Sequence, residues 1–368
     1  MFTVLKGIWL KIAVIIGVLV PGLFAGHAFA QNITSGFGPY MTYSSKKAKS
    51  VTVAYFTGKK EKFNLKIHDG KIVFVKKENK VKFHAFPVKV EPSKNYQFTI
   101  ESLIPQFHGK QSCLSMFPAD KFRFAVFGDT AESLNDFSKM SETVKQFAPN
   151  FFIIPGNLTK DSYNFDEWQK FFTAGEKLFK GCVFMPVVGV KDYYGQIWEK
   201  LFDVSNKRFP FYSYELPYAT VIVLNTGMYL EKDSAQYIWL VEELKTAKSK
   251  WKIVVFHHAP FSTTAKKNDK SMPQIHATLI PLLEQYKVDL VINGMDNLYE
   301  RSVKNGILYI TGGSVSPITD TPGSDNPYRQ FEYHAKNVFT LFDVASDSIT
   351  VTAHTLQNET VDTFQLKK

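Results

Sequence analysis

Between Ser35 and Leu103 apolar and polar residues alternate in short runs. Residues 51–56 and 63–67 repeat with a period of two. Asp69-Gly70 separates the second run from residues 72–75, and Pro92 precedes the alternating Tyr96, Phe98 and Ile100. This spacing predicts antiparallel strands with one face buried, joined by tight turns, with a type I′ hairpin at Asp69-Gly70. After Ala119 the period changes. Residues 122–127 form a continuous apolar run ending in Gly128-Asp129, and Leu134, Phe137, Met140, Val144 and Phe147 then recur at helical spacing. Apolar runs at 151–154, 183–188, 221–225, 251–256 and 290–292 each end in polar or glycine-bearing residues, and a helix is expected around 236–247. Three alternating runs near 338–342, 349–352 and 363–366 predict antiparallel strands at the tail.

This pattern divides the chain into an all-β sandwich over residues 31–104, a connector over 105–119 and an α/β layered domain over 120–368. In such a layered domain, sites gather at the carboxyl ends of the strands. Tyr96 stands where a hydroxyl can bond back across a corner, as in immunoglobulin-like or fibronectin type III-like sandwiches.

The length of 368 residues and an aromatic content of 15% exclude a peptide or a disordered chain. Residues 1–30 carry Lys6 and Lys11, no carboxylate, an apolar run and the ending Ala28-Phe29-Ala30. This is the layout of a secretory leader cleaved before Gln31, so the mature chain is expected to be secreted or periplasmic, possessing no transmembrane span. Without Lys6 and Lys11, the 44 basic residues become 42 against 34 acidic, a net +8. Residues 41–94 hold 14 lysines, no arginine and four acids. A lysine-only face attracts polyanions as a field of point charges, and lysine also keeps exposed strand edges from pairing. The expected partner is therefore an anionic surface or polymer. Nucleic acid is excluded, because no recognition motif accompanies the charge and the chain is exported. Cys113 and Cys182 permit at most one bridge.

Six strand-end motifs occur in order: Gly128-Asp129-Thr130; Gly156-Asn157-Leu158-Thr159-Lys160; Gly189-Val190-Lys191-Asp192; His257-His258-Ala259-Pro260-Phe261-Ser262; Gly294-Met295-Asp296-Asn297-Leu298-Tyr299-Glu300-Arg301; and Thr311-Gly312-Gly313. Their order resembles the calcineurin-like metallophosphoesterases, and the preceding sandwich resembles the purple acid phosphatase branch. The resemblance implies an αββα domain and a two-metal phosphoester hydrolase, in which iron, manganese or zinc generates a hydroxide. Carried across residue by residue, it puts metal ligands at Asp129, Asn157, Lys160, Val190, His257, Met295 and Asn297, and a phosphate contact at Lys191. His258 is an alternative to His257. Of these, only Asp129 and one histidine have competent donors, so no metal cofactor is expected and no catalytic residue is assigned. Asp192 and Asp296 each stand one residue from a lost ligand, and Asp296 would face away from Met295 and Asn297 in an extended segment.

The reading that results is an exported, non-hydrolysing purple acid phosphatase-like pseudoenzyme that binds a partner. The alternatives are an acid phosphatase-like phosphoric monoester hydrolase with a single metal, and a purely structural envelope component. Lys160 and Lys191 are expected to enter the space of the lost metals, one of them pairing with Asp129; with His258 they are the candidate anion-binding groups. Tyr299, Glu300 and Arg301 are expected to fix loops. His276 and His334 are read as packed or surface histidines, and Trp168, Phe171, Phe172, Tyr193 and Tyr194 as core residues or a stacking wall. The triplet Asn32-Ile33-Thr34 and two further N-x-T triplets are glycan acceptors in a glycosylating host.

Overall fold

The computed structural model describes residues 36–70, 73–77, 81–192, 196–202, 210–317, 323 and 325–368. The expected leader, Asn32, Tyr193 and Tyr194 lie outside the described residues. The described residues form one compact unit.

The strands are β1 (Phe37–Tyr43), β2 (Ser50–Glu61), β3 (Asn64–His68), β4 (Val73–Lys77), β5 (Val81–Lys89), β6 (Asn95–Glu101), β7 (Gln111–Ser115), β8 (Lys121–Val126), β9 (Phe151–Ile154) and β10 (Val183–Pro186). They continue with β11 (Tyr212–Leu216), β12 (Ala219–Val223), β13 (Trp251–Val255), β14 (Leu290–Asn293), β15 (Tyr299–Lys304), β16 (Ile307–Gly312), β17 (Arg329–Tyr333), β18 (Val338–Ala345), β19 (Ser348–Thr355) and β20 (Thr360–Lys367). The helices used below are α1 (Leu134–Gln146), α2 (Phe165–Ala174), α3 (Glu176–Phe179), α4 (Gln196–Leu201) and α5 (Ala235–Thr246).

Two large sheets carry the layered domain, ordered β20-β19-β18-β8-β9-β10-β1-β2-β5 and β11-β12-β13-β14-β16-β15-β17. The period of two along β12 shows how they pack: Val221 and Val223 join the core shared by both sheets, while Ile222 joins Leu240 and Leu244 of α5 on the outer face. On the other side Phe137 of α1 and Phe171 of α2 pack against the first sheet through Phe152 and Phe184. Helices outside two facing sheets make the αββα layering that the resemblance implies, within the α/β class expected from the alternating pattern. Ser234 starts α5, its hydroxyl accepting from the Tyr237 amide at 3.1 Å.

The amino-terminal region is all β, as its alternation predicts. Gly70 takes φ +97 at the β3–β4 hairpin, but Asp69 has no positive φ and His68 pairs with Val73, so the connection is longer than the two-residue type I′ turn expected; the Glu91 amide donates to the Tyr96 hydroxyl at 3.0 Å across the corner. A further feature is invisible in the periodicity. Only β4-β3-β6-β7 form a separate four-stranded sheet; β1, β2 and β5 extend the first large sheet, with β1 running parallel to β10 at Met41–Val183. The parallel β1–β10 pair joins strands about 140 residues apart, and short-range alternation carries no information about such pairing. The 105–119 segment, expected as a connector, itself contains β7 and so leads from the four-stranded sheet into β8 of the first large sheet.

No bridge joins the cysteines. Cys113 is exposed on β7, and Cys182 is buried, donating to the Pro149 carbonyl at 3.0 Å, with burial pushing its thiol up to about 12. Trp168, Phe171 and Phe172 are core residues rather than a wall facing a cleft. Among the described residues no helix is long and apolar enough to cross a membrane.

Candidate functional site

The parallel strands β8, β9 and β10 of one sheet and β12, β13, β14 and β16 of the other deliver their carboxyl-end loops to a common seam. Backbone bonds stitch it: the Gly128 amide to the Gly313 carbonyl at 3.0 Å, and the Gly294 amide to the His257 carbonyl at 3.1 Å. Two glycines permit this approach. A Cβ on Gly156, which has φ +92, would fall 2.5 Å from His257 Nδ1, and one on Gly189 would fall 2.3 Å from the Asn157 amide nitrogen.

Asp129 is 4% exposed and Asn157 5%. Asn157 Nδ2 donates to Asp129 Oδ2 at 2.8 Å, and the Ala131 amide donates to Oδ1 at 3.0 Å. Asn157 Oδ1 accepts from the Lys191 amide at 3.0 Å. Burial raises the Asp129 carboxyl, opposed first by the Asn157 bond and then by the charge of Lys191. Asp192, which the resemblance did not assign as a ligand, fastens two loops: it accepts from the Leu158 amide at 2.8 Å and the Gly189 amide at 2.9 Å. Its burial pushes the carboxyl up to about 7.

The two histidines separate. His257 Nδ1 meets the Pro155 carbonyl at 2.6 Å, which fixes the proton on that nitrogen, and Nε2 is buried with no hydrogen-bond partner. Burial holds His257 down to about 3, so the ring stays neutral. His258 instead lies between Thr226 Oγ1 at 2.6 Å and Asp269 Oδ1 at 3.2 Å. Both its nitrogens face groups of the chain itself.

Residues 295–297 are not extended. Met295 has φ 65 and Asn297 φ 56, so strand alternation does not apply between them. The Asp296 carboxylate turns to the 262–264 loop, accepting from Ser262 Oγ at 2.8 Å and Thr264 Oγ1 at 3.2 Å. Asn297 Nδ2 donates to the Pro317 carbonyl at 3.3 Å.

The expected contact of Lys160 or Lys191 with Asp129 is not formed. Both ammonium groups reach Glu132 at the rim, Lys191 at 2.7 Å and Lys160 at 3.3 Å. A rim carboxylate satisfies them without the desolvation that entry into the cleft would cost. The cation nearer the interior is Lys266, which sequence reasoning missed. It is half-buried, donates to the Met295 carbonyl and acts by charge on Asp129, Asp296 and His257. It lies in Thr263-Thr264-Ala265-Lys266-Lys267-Asn268-Asp269-Lys270, a polar run that reads as an exposed loop and sets no lysine apart. Burial pushes Asp296 up to about 6 against the pull of Ser262 and Lys266. Lys266→Met should lower stability near neutral pH by about 1–3 kcal/mol, with the deficit shrinking as acidification neutralises both carboxyls. Lys266→Arg should keep most of it, and urea titration of both variants at two pH values checks this.

The residues present do not fit a dinuclear metal centre. The oxygens of Asp129 already accept from an amide side chain and a backbone amide, and Asn157 is neutral. Val190 is 42% exposed and apolar, and a lysine ammonium offers no lone pair. Among the described residues no three His, Cys, Asp or Glu side chains converge as metal ligands. Tyr299, Glu300 and Arg301, expected to fix loops, instead fasten strands to one another: Arg301 Nε and the Tyr299 hydroxyl both reach Asp362 of β20, at 2.7 and 2.8 Å, and Glu300 pairs with Arg329 of β17 at 3.0 Å. His276 is exposed, and His334 pairs at the surface with Glu332 at 2.9 Å.

Residues 122–294 match the family profile of calcineurin-like phosphoesterases. An onion (Allium cepa) phosphoenolpyruvate phosphatase is 24% identical over 226 residues, covering 55% of this chain and 47% of that protein. Probable purple acid phosphatase 20 of Arabidopsis thaliana is 28% identical over 206 residues, covering 50% of this chain and 48% of that protein. The chain thus spans about half the length of the curated relatives it matches. Among solved structures, the purple acid phosphatase PPD1 of yellow lupin (Lupinus luteus) seeds superposes with a TM-score of 0.75 at 15% identity, over 91% of this chain and 75% of that one. Plasmodium GAP50, described as the anchor in the inner membrane complex, superposes with a TM-score of 0.54 at 21% identity, over 67% of this chain and 89% of that one. Residues 122–294 of this chain thus form a domain of the calcineurin-like phosphoesterase superfamily, and the strands ahead of it and the motif order along its strand ends are similar to those of purple acid phosphatases.

Proposed function

We propose that this chain is an exported purple acid phosphatase-like protein that binds through its surface and does not hydrolyse phosphoesters. One observation carries the reading: Asn157 Nδ2 donates to Asp129 Oδ2 at 2.8 Å. In the family that position holds the carboxylate that bridges two cations. Here a neutral amide supplies a proton to the remaining carboxylate, in place of a negative charge for metal. Without a dinuclear site there is no metal-generated hydroxide, and the neutral His257 and amide-bound Asp129 do not replace it. The lysine-rich residues 41–94 supply the binding side, directed at an anionic surface outside the cell. Elemental analysis after chelator-free purification should find well below two equivalents of iron, manganese or zinc, and turnover of p-nitrophenyl phosphate should equal that of Asp129→Ala. Two equivalents, or turnover that vanishes in Asp129→Ala, would overturn the reading.

A second reading, a phosphoric monoester hydrolase with one metal, draws support from His257. Its Nδ1 is fixed on a backbone carbonyl and its Nε2 is buried without a partner, the arrangement of a metal-ligating imidazole. One equivalent of metal, lost in His257→Ala together with turnover, would select it.

A further inference from the structure

We propose that the tip formed by the end of β2 and the loop after β6 docks on an anionic lipid bilayer, with Leu103 entering the interface and Lys59, Lys60, Lys62 and Lys82 facing the headgroups. The proposal deepens the reading above by naming the surface that the lysine-rich region meets.

Leu103 is 90% exposed, with exposed Pro105 and Gln106 beside it. An exposed leucine alone is ordinary. Here its setting is specific. Glu61, between Lys60 and Lys62, is turned inward at 8% exposure, and its Oε1 accepts from the Ser102 hydroxyl at 3.1 Å and from the Leu103 amide. The one acid of that stretch is thereby engaged in holding the leucine turn against the lysines. Thr57 Oγ1 donates to the Lys59 carbonyl at 2.8 Å and lies 3.0 Å from that of Lys82, which brings those two lysines side by side. All four lysines are exposed, and none has a carboxylate partner among the described residues.

The turn is also rigid. The Ile104 amide donates to Ser102 Oγ at 2.9 Å, His108 Nδ1 meets the Ser102 carbonyl at 2.9 Å, and the following Phe107 is buried against Phe63. Leu103 is therefore held outward by built contacts, and no ordering cost falls on it when it binds. A short apolar tip beside exposed lysines that have no carboxylate partner among the described residues is complementary to a bilayer interface, where leucine meets acyl chains while lysines reach anionic headgroups. A soluble polyanion would use the lysines and leave Leu103 in water.

Flotation of the purified chain with phosphatidylcholine vesicles, with and without phosphatidylserine, tests this. Binding should require phosphatidylserine, weaken with salt, and fall about tenfold or more in Leu103→Ser and in Lys60→Glu/Lys62→Glu. The equal charge change Lys245→Glu/Lys248→Glu, on and beside α5, should leave it intact. All these positions are exposed, and matched melting curves show that each variant folds. Absence of selective binding would overturn the proposal. So would a Leu103→Ser variant that floats as the parent does, or retention on a heparin column without flotation; either would leave the anionic-polymer reading standing. Hydrolysis reads the cleft and flotation reads the tip, so each idea fails separately.

Discussion

Asn157→Asp should destabilise the chain by about 3–5 kcal/mol near neutral pH, the scale for leaving a buried charge unpaired. The exchange removes the amide proton that Asp129 Oδ2 accepts at 2.8 Å and puts a second carboxylate in its place, at a position 5% exposed. Two carboxylates at that separation share one proton, so the pair titrates with one strongly raised apparent pKa. A folded-state pKa above the unfolded value near 4 imposes a penalty that is full above the raised pKa and relieved as pH falls towards the unfolded one. The variant should therefore approach the parent in acid. Zinc or manganese should not restore it, because Met295 and Asn297 still replace imidazoles and Lys266 still lies beside the site. Urea midpoints across pH, with and without metal, decide this; an Asn157→Asp chain as stable as the parent at neutral pH would falsify the account of the amide as a substitute for metal charge.

Asp192→Ala should cost about 2–4 kcal/mol, since the buried Leu158 and Gly189 amides lose their acceptor. The pH dependence distinguishes this from simple cavity formation. Burial raises the Asp192 carboxyl to about 7, so between about pH 4 and pH 7 the folded chain binds the proton that the unfolded chain has lost, and stability falls as pH rises, by an amount on the order of 4 kcal/mol. His257 acts in the opposite sense. Held down to about 3, it stays neutral while the unfolded imidazole protonates below about 6.5, so its contribution is lost on acidification. In the parent the histidine slope opposes that of Asp192 between about pH 4 and 6.5. In Asp192→Ala the slope of that carboxyl is gone while those of Asp296 and His257 remain, so the gap between variant and parent should be full near pH 4 and narrow towards pH 8. Chemical denaturation at both ends of that range measures it, and a gap that does not change with pH would show that Asp192 folds already ionised.

Much of the candidate site was legible in the sequence because its chemistry is local. A valine at position 190 cannot donate to a metal in any fold, and the order of Gly128-Asp129, Gly156-Asn157, Gly189-Val190, His257-His258 and Gly294-Met295 along the chain is the order of strand ends in space. What the replacements do instead was not legible. The expectation is that Lys160 or Lys191 meets Asp129, yet both side chains pair with Glu132, and the Lys191 backbone amide bonds Asn157. Lysine reaches far enough for either, and the lower desolvation cost at the rim decides. The choice between His257 and His258 likewise turned on which ring lay against Gly156, a matter of packing.

By itself the sequence determined the strand and helix periods, the layered class, a turn at Gly70, the lysine-rich balance and the absence of donor side chains at positions such as Lys160 and Val190, because each follows from residue type and short-range spacing. Tertiary structure alone decided that β1, β2 and β5 complete the first large sheet, that Lys266 stands beside Asp129 and Asp296, and that Glu61 turns inward to hold Leu103 out among lysines. These arrangements depend on contacts between residues distant in sequence, where the balance of desolvation, reach and packing sets the partner and no local pattern records it.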